Sequence, residues 1–518
     1  MLARVASLGL LGLEGYPVQV EVDVSNGLPA FDLVGLPSTA VRESRERVRS
    51  AIRNAGFDFP LQRITVNLAP ADLRKEGPAY DLPIALGILA ATEQIPLNKL
   101  EDAFWAGELS LDGQIRGISG VLAMAFRVKN ESKRAGRSLS FITPLENAEE
   151  AALIADIQVY GVKHLSEVVA GLRGDQELSR ISSSLSDIVP LARKSRMARL
   201  DFNQVKGQQS TKRALEVAAA GGHNLLLMGP PGAGKTMLVR RFPTILPSLT
   251  FDECLDITRI YSVAGFLPRG QAVITERPFR TPHHTCSAVT LVGGGRDPRP
   301  GEVSLAHRGV LFMDELLEFN RGSLEALRQP LEDGQITVSR LNNTFTFPCR
   351  FVLIGSMNPC PCGFLGDGER ECVCTPPQIK RYRQRLSGPL LDRFDLHVEV
   401  PRLNFDELEA GIKGESSETI QARVEEARNR QRKRLQDCGI MSNAEMNGTE
   451  LEQFCNLQVE GRHLLQSAFE KLGLSVRAYH RILRVARTIA DLAGSSQIQI
   501  DHLAEAIQYR VLDRNQWD

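Results

Sequence analysis

Leu225-Leu-Leu-Met228, followed at once by Gly229-Pro-Pro-Gly-Ala-Gly-Lys-Thr236, is the stretch whose reading decides the fold. Four consecutive apolar residues suit a strand buried on both faces of a parallel sheet. The octet that follows is the strand–loop–helix pattern of a phosphate-binding loop. Its glycines let backbone amides close around phosphate oxygens with no Cβ in the way. The helix that begins there aims its positive end at the same phosphates. Gly229, Pro230, Pro231, Gly232, Ala233, Gly234, Lys235 and Thr236 are therefore expected to bind ATP, with Lys235 on the β- and γ-phosphates and Thr236 on Mg²⁺.

Working outward, residues 310–313 (VLFM) read as a second buried strand that ends in Asp314-Glu315. Ligands of open α/β sheets sit at the carboxyl ends of the strands, so Asp314 suits the Mg²⁺ shell and Glu315 suits a base that orients the attacking water. A third apolar run, 351–355, leads to Ser356-Met357-Asn358, where the Asn358 amide is placed to hold the lytic water or the γ-phosphate. Arg393, in Gly388-Pro-Leu-Leu-Asp-Arg-Phe-Asp395, is read as lying past the last core strand, where a neighbouring subunit can use it as an arginine finger.

The 78 residues between Thr236 and Asp314 exceed a plain βαβ unit of about 30, which predicts an insert. From Arg259 to Arg308 it carries seven Arg against three acids, with the turn Gly293-Gly-Gly295. Residues 335–350 read as two β-rich runs around Arg340-Leu-Asn-Asn343, a hairpin. Arg296, Arg299 and Arg340 are the candidate DNA contacts. After Pro401 the strand signal fades and helical patterns run to the end, as at 476–492 and 501–512.

The first part of the chain alternates strand and helix patterns: 18–24 as a half-buried strand, 38–55 as a helix, 64–68 as a strand, and 81–91, apolar all round, as a buried helix. Residues 174–200 dissolve into Ser, Arg and Lys and read as a basic linker. The resulting division is 1–173, 174–200, 201–400 and 401–518.

Sixty-two Lys and Arg balance sixty-two Asp and Glu, so affinity for nucleic acid must come from local basic patches. With 42% hydrophobic and 24% charged residues the chain is neither disordered nor fibrous, and no apolar run is long enough to span a bilayer. A cytoplasmic protein is expected. Four of the nine cysteines, Cys360, Cys362, Cys372 and Cys374, fall in one short segment. An odd total with one tight cluster points to a local metal site, not a disulfide framework. Two Cys-x-Cys pairs around a Gly-rich loop suit tetrahedral Zn²⁺, with reduced thiols or another metal as the alternatives. The segment 379–385 then sets four basic residues around Tyr382, which fits either a nucleic-acid contact or a solvated helix face.

Taken in order, these motifs resemble the AAA+ ATPases over 201–518. Gly301-Glu-Val-Ser-Leu-Ala-His307, Arg308-Gly-Val-Leu-Phe-Met-Asp-Glu315 and Ser387-Gly-Pro-Leu-Leu-Asp-Arg-Phe-Asp395 resemble the magnesium-chelatase-like branch. The whole chain looks like the bacterial ComM (competence) family, which joins a Lon-like N-terminal domain of the ribosomal S5 domain 2 type to this motor. That resemblance implies a hexameric motor on single-stranded or branched DNA, a branch-migration helicase in recombination during natural transformation. It implies an α/β core with a helix-2 insert and a pore-directed pre-sensor hairpin, and an α-helical lid. It also implies Asn358 as sensor 1, Arg393 as the trans finger and Arg477 as sensor 2, with Arg481 one helical turn on as an alternative. In the Lon-like segment, Ala79 stands at the serine position of Lys75-Glu-Gly-Pro-Ala-Tyr-Asp81, and Leu122 stands at the lysine position. A Ser–Lys peptidase needs both a hydroxyl and an amine, so an ATP-dependent protease is disfavoured. The competing function is a magnesium-chelatase-type motor that remodels a protein or supports metal insertion. The nucleotide site cannot separate the two, because one fold serves many functions.

Overall fold

The computed structural model describes residues 1–182, 200–268, 270–295, 298–339, 344–402 and 414–510. The chain falls into two compact units: Met1–Pro190 with Cys254–Ile274, and Leu191–Glu253 with Thr275–Asp518.

The second unit carries the phosphate-binding loop. Helix α1 (Gln209–Gly221) leads to strand β1 (Leu225–Met228), and α2 (Lys235–Arg241) follows the loop. Strands β2 (Phe279–Arg280), β3 (Val310–Met313), β4 (Val352–Met357) and β5 (Leu396–Glu399) complete a five-stranded sheet in the order β2-β3-β4-β1-β5. Every pairing is parallel: Leu225 faces Ile354 and Leu396, Val310 faces Val352, and Phe279 faces Val310. All four residues of β1 and of β3 are buried, as continuous apolar runs require. Parallel register brings the carboxyl ends of β1, β3 and β4 to one edge, and this places Gly229, Asp314 and Asn358 together.

Helix α3 (Pro376–Arg383) precedes β5. Helices α4 (Ser417–Leu435), α5 (Val459–Leu472), α6 (Val476–Leu492) and α7 (Ile500–Gln508) form the carboxyl-terminal region. In α6, Ala478, Ile482, Val485, Ala486 and Ile489 recur at helical spacing and are buried. They share one core with Leu215 and Ala218 of α1 and with Leu225 and Leu227 of β1. A hairpin of Gln335–Ser339 and Thr344–Pro348 stands apart from the main sheet. Gly293–Gly294 pairs with Arg299–Pro300 as a second small ribbon.

The first unit is built on an eight-stranded mixed sheet. Strands Leu2–Leu11 and Glu14–Ser25 form its long antiparallel hairpin, and Arg63–Ala69 extends it. Asp81–Ala91 is buried at every position. Asp81 takes a bidentate ion pair from Arg47, at 2.6 and 3.0 Å, which offsets the burial of its charge.

Several sequence expectations shift. The 38–55 helix breaks at Glu43 into Thr39–Arg42 and Ser44–Asn54. Arg180–Ile181, expected in the linker, pairs with Gln158–Val162 as the edge of the sheet. The terminal helix stops at Gln508. Residues 183–199, most of the expected linker, lie outside the described residues. The largest change concerns Cys254–Ile274, which belongs to the first unit, not to the nucleotide-binding core. The Ser262 hydroxyl donates to Glu150, the Gly120 N–H reaches the Ser262 carbonyl at 3.1 Å, and Arg259 lies over the Phe126 ring. Among the described residues no helix is long and apolar enough to cross a membrane.

Candidate nucleotide site

The loop between β1 and α2 has the conformation that its glycines permit. Gly232 and Gly234 adopt left-handed φ values of 81° and 87°, where any Cβ is strained. At Gly229 a Cβ would run into the Val400 carbonyl oxygen. Lys235 Nζ donates to the carbonyls of Gly229 (2.5 Å) and Pro230 (3.0 Å) and to Asn358 Oδ1 (3.1 Å). Burial pulls its pKa down to about 8, with the nearby Asp314 and Glu315 carboxylates acting the other way. Thr236 Oγ1 donates to Asp314 Oδ2 at 2.9 Å. Four of the expected residues, Lys235, Thr236, Asp314 and Asn358, thus meet at one place, Lys235 on Asn358 and Thr236 on Asp314.

Glu315 sits at φ 52°, an unusual backbone for a non-glycine residue. Its N–H donates to both Asp314 Oδ1 and Ser356 Oγ at 3.2 Å, and the Ser356 hydroxyl donates to Asp314. This turn projects the Glu315 carboxylate outward, 62% exposed, with His284 Nδ1 at 3.9 Å. Neither Ser356 nor the His284–Glu315 approach is among the residues expected from the motifs. Ser356 was legible as the residue two before Asn358 on a strand, hence on the same face. His284 follows β2, which pairs with β3, and that pairing is not visible in sequence.

Arg393, Arg477 and Arg481 lie elsewhere. Arg393 precedes β5, which hydrogen-bonds to β1, so it does not follow the last core strand as expected. The strand Leu396–Glu399 is short and continues straight from the Arg393 turn, which hid the order. The Arg393 side chain is largely buried and pairs with Glu332 at 2.5 Å. It lines a cavity of about 610 Å³ with Asn224, Gly309 and Val352, residues at the amino ends of β1, β3 and β4. Arg477 and Arg481 line the same cavity. A four-residue strand rises about 13 Å, so these arginines and the phosphate-binding loop occupy opposite edges of one sheet.

Arg481 donates to the Phe394 carbonyl at 3.0 Å and lies 3.6 Å from Asp395. Burial lowers its pKa to about 10, opposed by Asp395. Burial alone would raise the Asp395 carboxyl, but His223 and Arg481 hold it well below the usual range. Arg481 therefore serves as a buried tie between α6 and β5. Arg477 is 61% exposed with Asp392 at 3.7 Å, and it is the arginine of the two with a free reach.

The four clustered cysteines converge, with their sulfurs all within 4.8 Å of one another. Arg299 is exposed on its ribbon, while Arg296 and Arg340 lie outside the described residues. In the 379–385 segment, Arg383 donates to the Pro359 carbonyl and Arg385 pairs with Glu318. These contacts favour a structural role for part of that basic run. In the first unit Ala79 and Leu122 are both buried.

A five-stranded parallel sheet, a phosphate-binding loop after β1 and an acidic pair at the end of β3 define an AAA+ nucleotide-binding core with a helical carboxyl-terminal region. Three family descriptions match: magnesium chelatase, subunit ChlI, over residues 201–408; its C-terminal part over 414–510; and subunit ChlI of Mg-chelatase over 20–147. The chain is 47% identical to the protein YifB of Salmonella typhimurium and 46% identical to the competence protein ComM of Haemophilus influenzae, each across 99% of this chain and 98% of the relative. A magnesium-chelatase subunit ChlI homolog of Methanocaldococcus jannaschii is 25% identical across 59% of this chain and 83% of its own. The chain therefore belongs to the family of ComM and YifB, magnesium-chelatase-like AAA+ proteins.

Proposed function

We propose that this protein is an ATP-driven motor that assembles into a ring, a hexamer in this reading, and acts on DNA as a branch-migration helicase in recombination during natural transformation. The observation that carries the motor is the division of the expected residues between two edges of one sheet. Lys235, Thr236, Asp314 and Asn358 meet at the carboxyl edge, while Arg393 and Arg477 stand at the amino edge. One copy cannot bring its own Arg393 to its own phosphates. Stacked head to tail, each copy would supply an arginine finger to its neighbour.

In this reading Thr236 and Asp314 hold Mg²⁺, which neutralises phosphate charge when bound. Lys235 binds the β- and γ-phosphates, and the amides of 229–236 enclose them. Glu315, projected from its pinned turn, takes the proton of the attacking water, and Asn358 orients that water. The cysteine cluster takes a structural Zn²⁺. The N-terminal unit is an inactive Lon-like domain that serves ring assembly or partner contact. Support for DNA comes from the full-length similarity to a competence protein and from the sequence between Arg259 and Arg308, where seven Arg, Arg296 and Arg299 among them, stand against three acids. The chelatase-type alternative draws on the family matches over 201–408 and 414–510. ATP turnover measured without DNA and with single-stranded, duplex and four-way DNA separates them. Stimulation, greatest with four-way DNA, is the expected result. Turnover indifferent to all three would sink the DNA reading and leave the chelatase-type motor.

A further inference from the structure

We infer that one Zn²⁺ ion bound by Cys360, Cys362, Cys372 and Cys374 is the fastener of the nucleotide pocket: it holds residues 359–375 against the phosphate-binding loop, and ATP binding depends on it. The inference rests on the reading of Lys235 and its loop as the ATP site.

The sulfur positions fit one tetrahedral ion. Four thiolates at about 2.3 Å from a zinc ion stand about 3.8 Å apart. Here Cys360 and Cys362 Sγ are 3.3 Å apart, Cys362 and Cys372 3.6 Å, and Cys360 and Cys372 3.7 Å. A disulfide needs about 2.05 Å. The Cys362 N–H also points at Cys374 Sγ, 3.4 Å away, as amides do toward thiolate ligands.

The segment that carries these thiols has no regular structure to order it, only surface contacts such as the Arg402 ion pairs with Asp367 and Glu369 and Arg370 over the Phe364 ring. Between β4 and α3 the chain runs through residues 358–375 without a helix or strand. Only Pro359, Cys360 and Gly363 are buried among residues 359–375. Loops longer than about 12–15 residues without secondary structure are uncommon in compact domains and need some other constraint. Four ligands on one ion close both ends of this loop and supply it.

The loop is built into the nucleotide site. Cys360 lies two residues after Asn358, whose Oδ1 accepts from Lys235. Gly363 turns at φ 85°, and a Cβ on it would stand 2.5 Å from Pro231 Cδ, so the turn lies directly against the phosphate-binding loop. The Gly363 N–H donates to the Cys360 carbonyl at 3.0 Å, which closes the turn. At the far end, Cys374 adjoins Thr375, the cap of α3, and Arg383 of α3 donates to the Pro359 carbonyl at 3.2 Å. Freeing the thiols would therefore free the backing of Pro231 and the position of Asn358 together.

The test uses the full chain. Zinc and iron are counted per chain by mass spectrometry. Affinity for a fluorescent ATP analogue with Mg²⁺ is then measured on the loaded protein, on protein stripped by a chelator that is afterwards removed, on stripped protein given Zn²⁺ back, and on Cys374→Ser. Hydrogen exchange across 1–182 and 476–492 monitors the rest of the fold. One zinc per chain is expected. Affinity should fall at least fivefold on stripping and in Cys374→Ser, and return when Zn²⁺ is restored to the stripped protein. Protection should be lost in 229–236 and 358–375 and kept elsewhere. Unchanged affinity in zinc-free protein overturns the inference, as does iron in place of zinc or no metal. Loss of protection throughout the chain also overturns it, because the ion would then be a general prop. Lys235→Ala in zinc-loaded protein is the separate control: analogue binding equal to wild type would overturn the ATP-site reading instead.

Discussion

Thr236 Oγ1 and Asp314 Oδ2 are 2.9 Å apart although 78 residues of chain separate them. The contact joins the first turn of α2 to the end of β3, and the two oxygens are the groups on which Mg²⁺ coordination depends in a P-loop site. Ser356 secures the arrangement from β4 by donating to Asp314 and accepting from the Glu315 N–H. The acidic pair is therefore split by geometry. Asp314 is held inward by two hydroxyls, and Glu315 is turned outward where water can reach it.

Glu315→Gln should separate binding from hydrolysis. The amide keeps the shape of the turn but cannot take a proton, and a positioned general base contributes about 10²–10⁴ in rate. Turnover is expected to fall by at least about a hundredfold, with ATP affinity unchanged. Hydrolysis at the wild-type rate would remove Glu315 from the role of base.

Lys235 predicts a pH dependence of nucleotide affinity. Burial has lowered its pKa to about 8 in the free protein. The ammonium form binds phosphate, and that form is lost as pH rises through this value. Affinity should be flat below about pH 7 and weaken roughly tenfold between pH 7 and pH 9. Titration of a fluorescent ATP analogue at fixed ionic strength measures it. Lys235→Ala should abolish nucleotide-dependent function and leave only residual binding without this pH dependence.

In α6, Asp491 is 1% exposed and accepts from Arg434 (2.6 and 2.8 Å), Arg487 (3.0 Å) and Asn443 (2.9 Å). Asp491→Ala would take the carboxylate from the buried Arg487 and the half-buried Arg434 and leave them only carbonyl and amide oxygens as acceptors, a change that costs up to about 3–5 kcal/mol. Denaturant unfolding followed by hydrogen exchange in α6 should show that loss. A variant within about 0.5 kcal/mol of wild type, the range of ordinary surface substitutions, would contradict the network.

Arg299→Ala and Arg340→Ala test the proposed DNA contacts. Arg suits phosphate because its planar fork donates two parallel hydrogen bonds. On the proposed function, each substitution should remove one grip on a phosphate. It should flatten the salt dependence of duplex binding by about 0.9 in the log–log slope, equally for all sequences. Basal ATP turnover should stay intact. Slopes and affinities equal to wild type would remove these arginines from the DNA path.

The sheet core and the contents of the phosphate site were legible because each rests on a local pattern. Residues 225–228 and 310–313 are unbroken apolar runs, and each is followed directly by the chemistry it positions. Asp81–Ala91 likewise reads as buried from its own composition. What the sequence hid depends on long-range pairing. Nothing in residues 254–274 announces that Ser262 bonds Glu150, 112 residues away, and so belongs with the first unit. The place of Arg393 was misread because β5 is four residues long and pairs with β1, distant in sequence. Arg477 and Arg481 share a helix face by spacing, but only burial distinguishes the tied guanidinium from the exposed one.

If one hydrolytic site is built from two copies of the chain, mixing two inactive variants restores it. Arg393→Ala keeps the phosphate-binding edge and loses the finger, a loss of roughly 10³–10⁵ in rate for such groups. Lys235→Ala loses the phosphate-binding edge and keeps the finger. Each alone should be inactive. ATP turnover in co-assembled mixtures should reappear and peak near equal proportions, because some interfaces then pair an intact loop with an intact Arg393. No turnover at any ratio, with mixed assemblies present, would contradict the shared site.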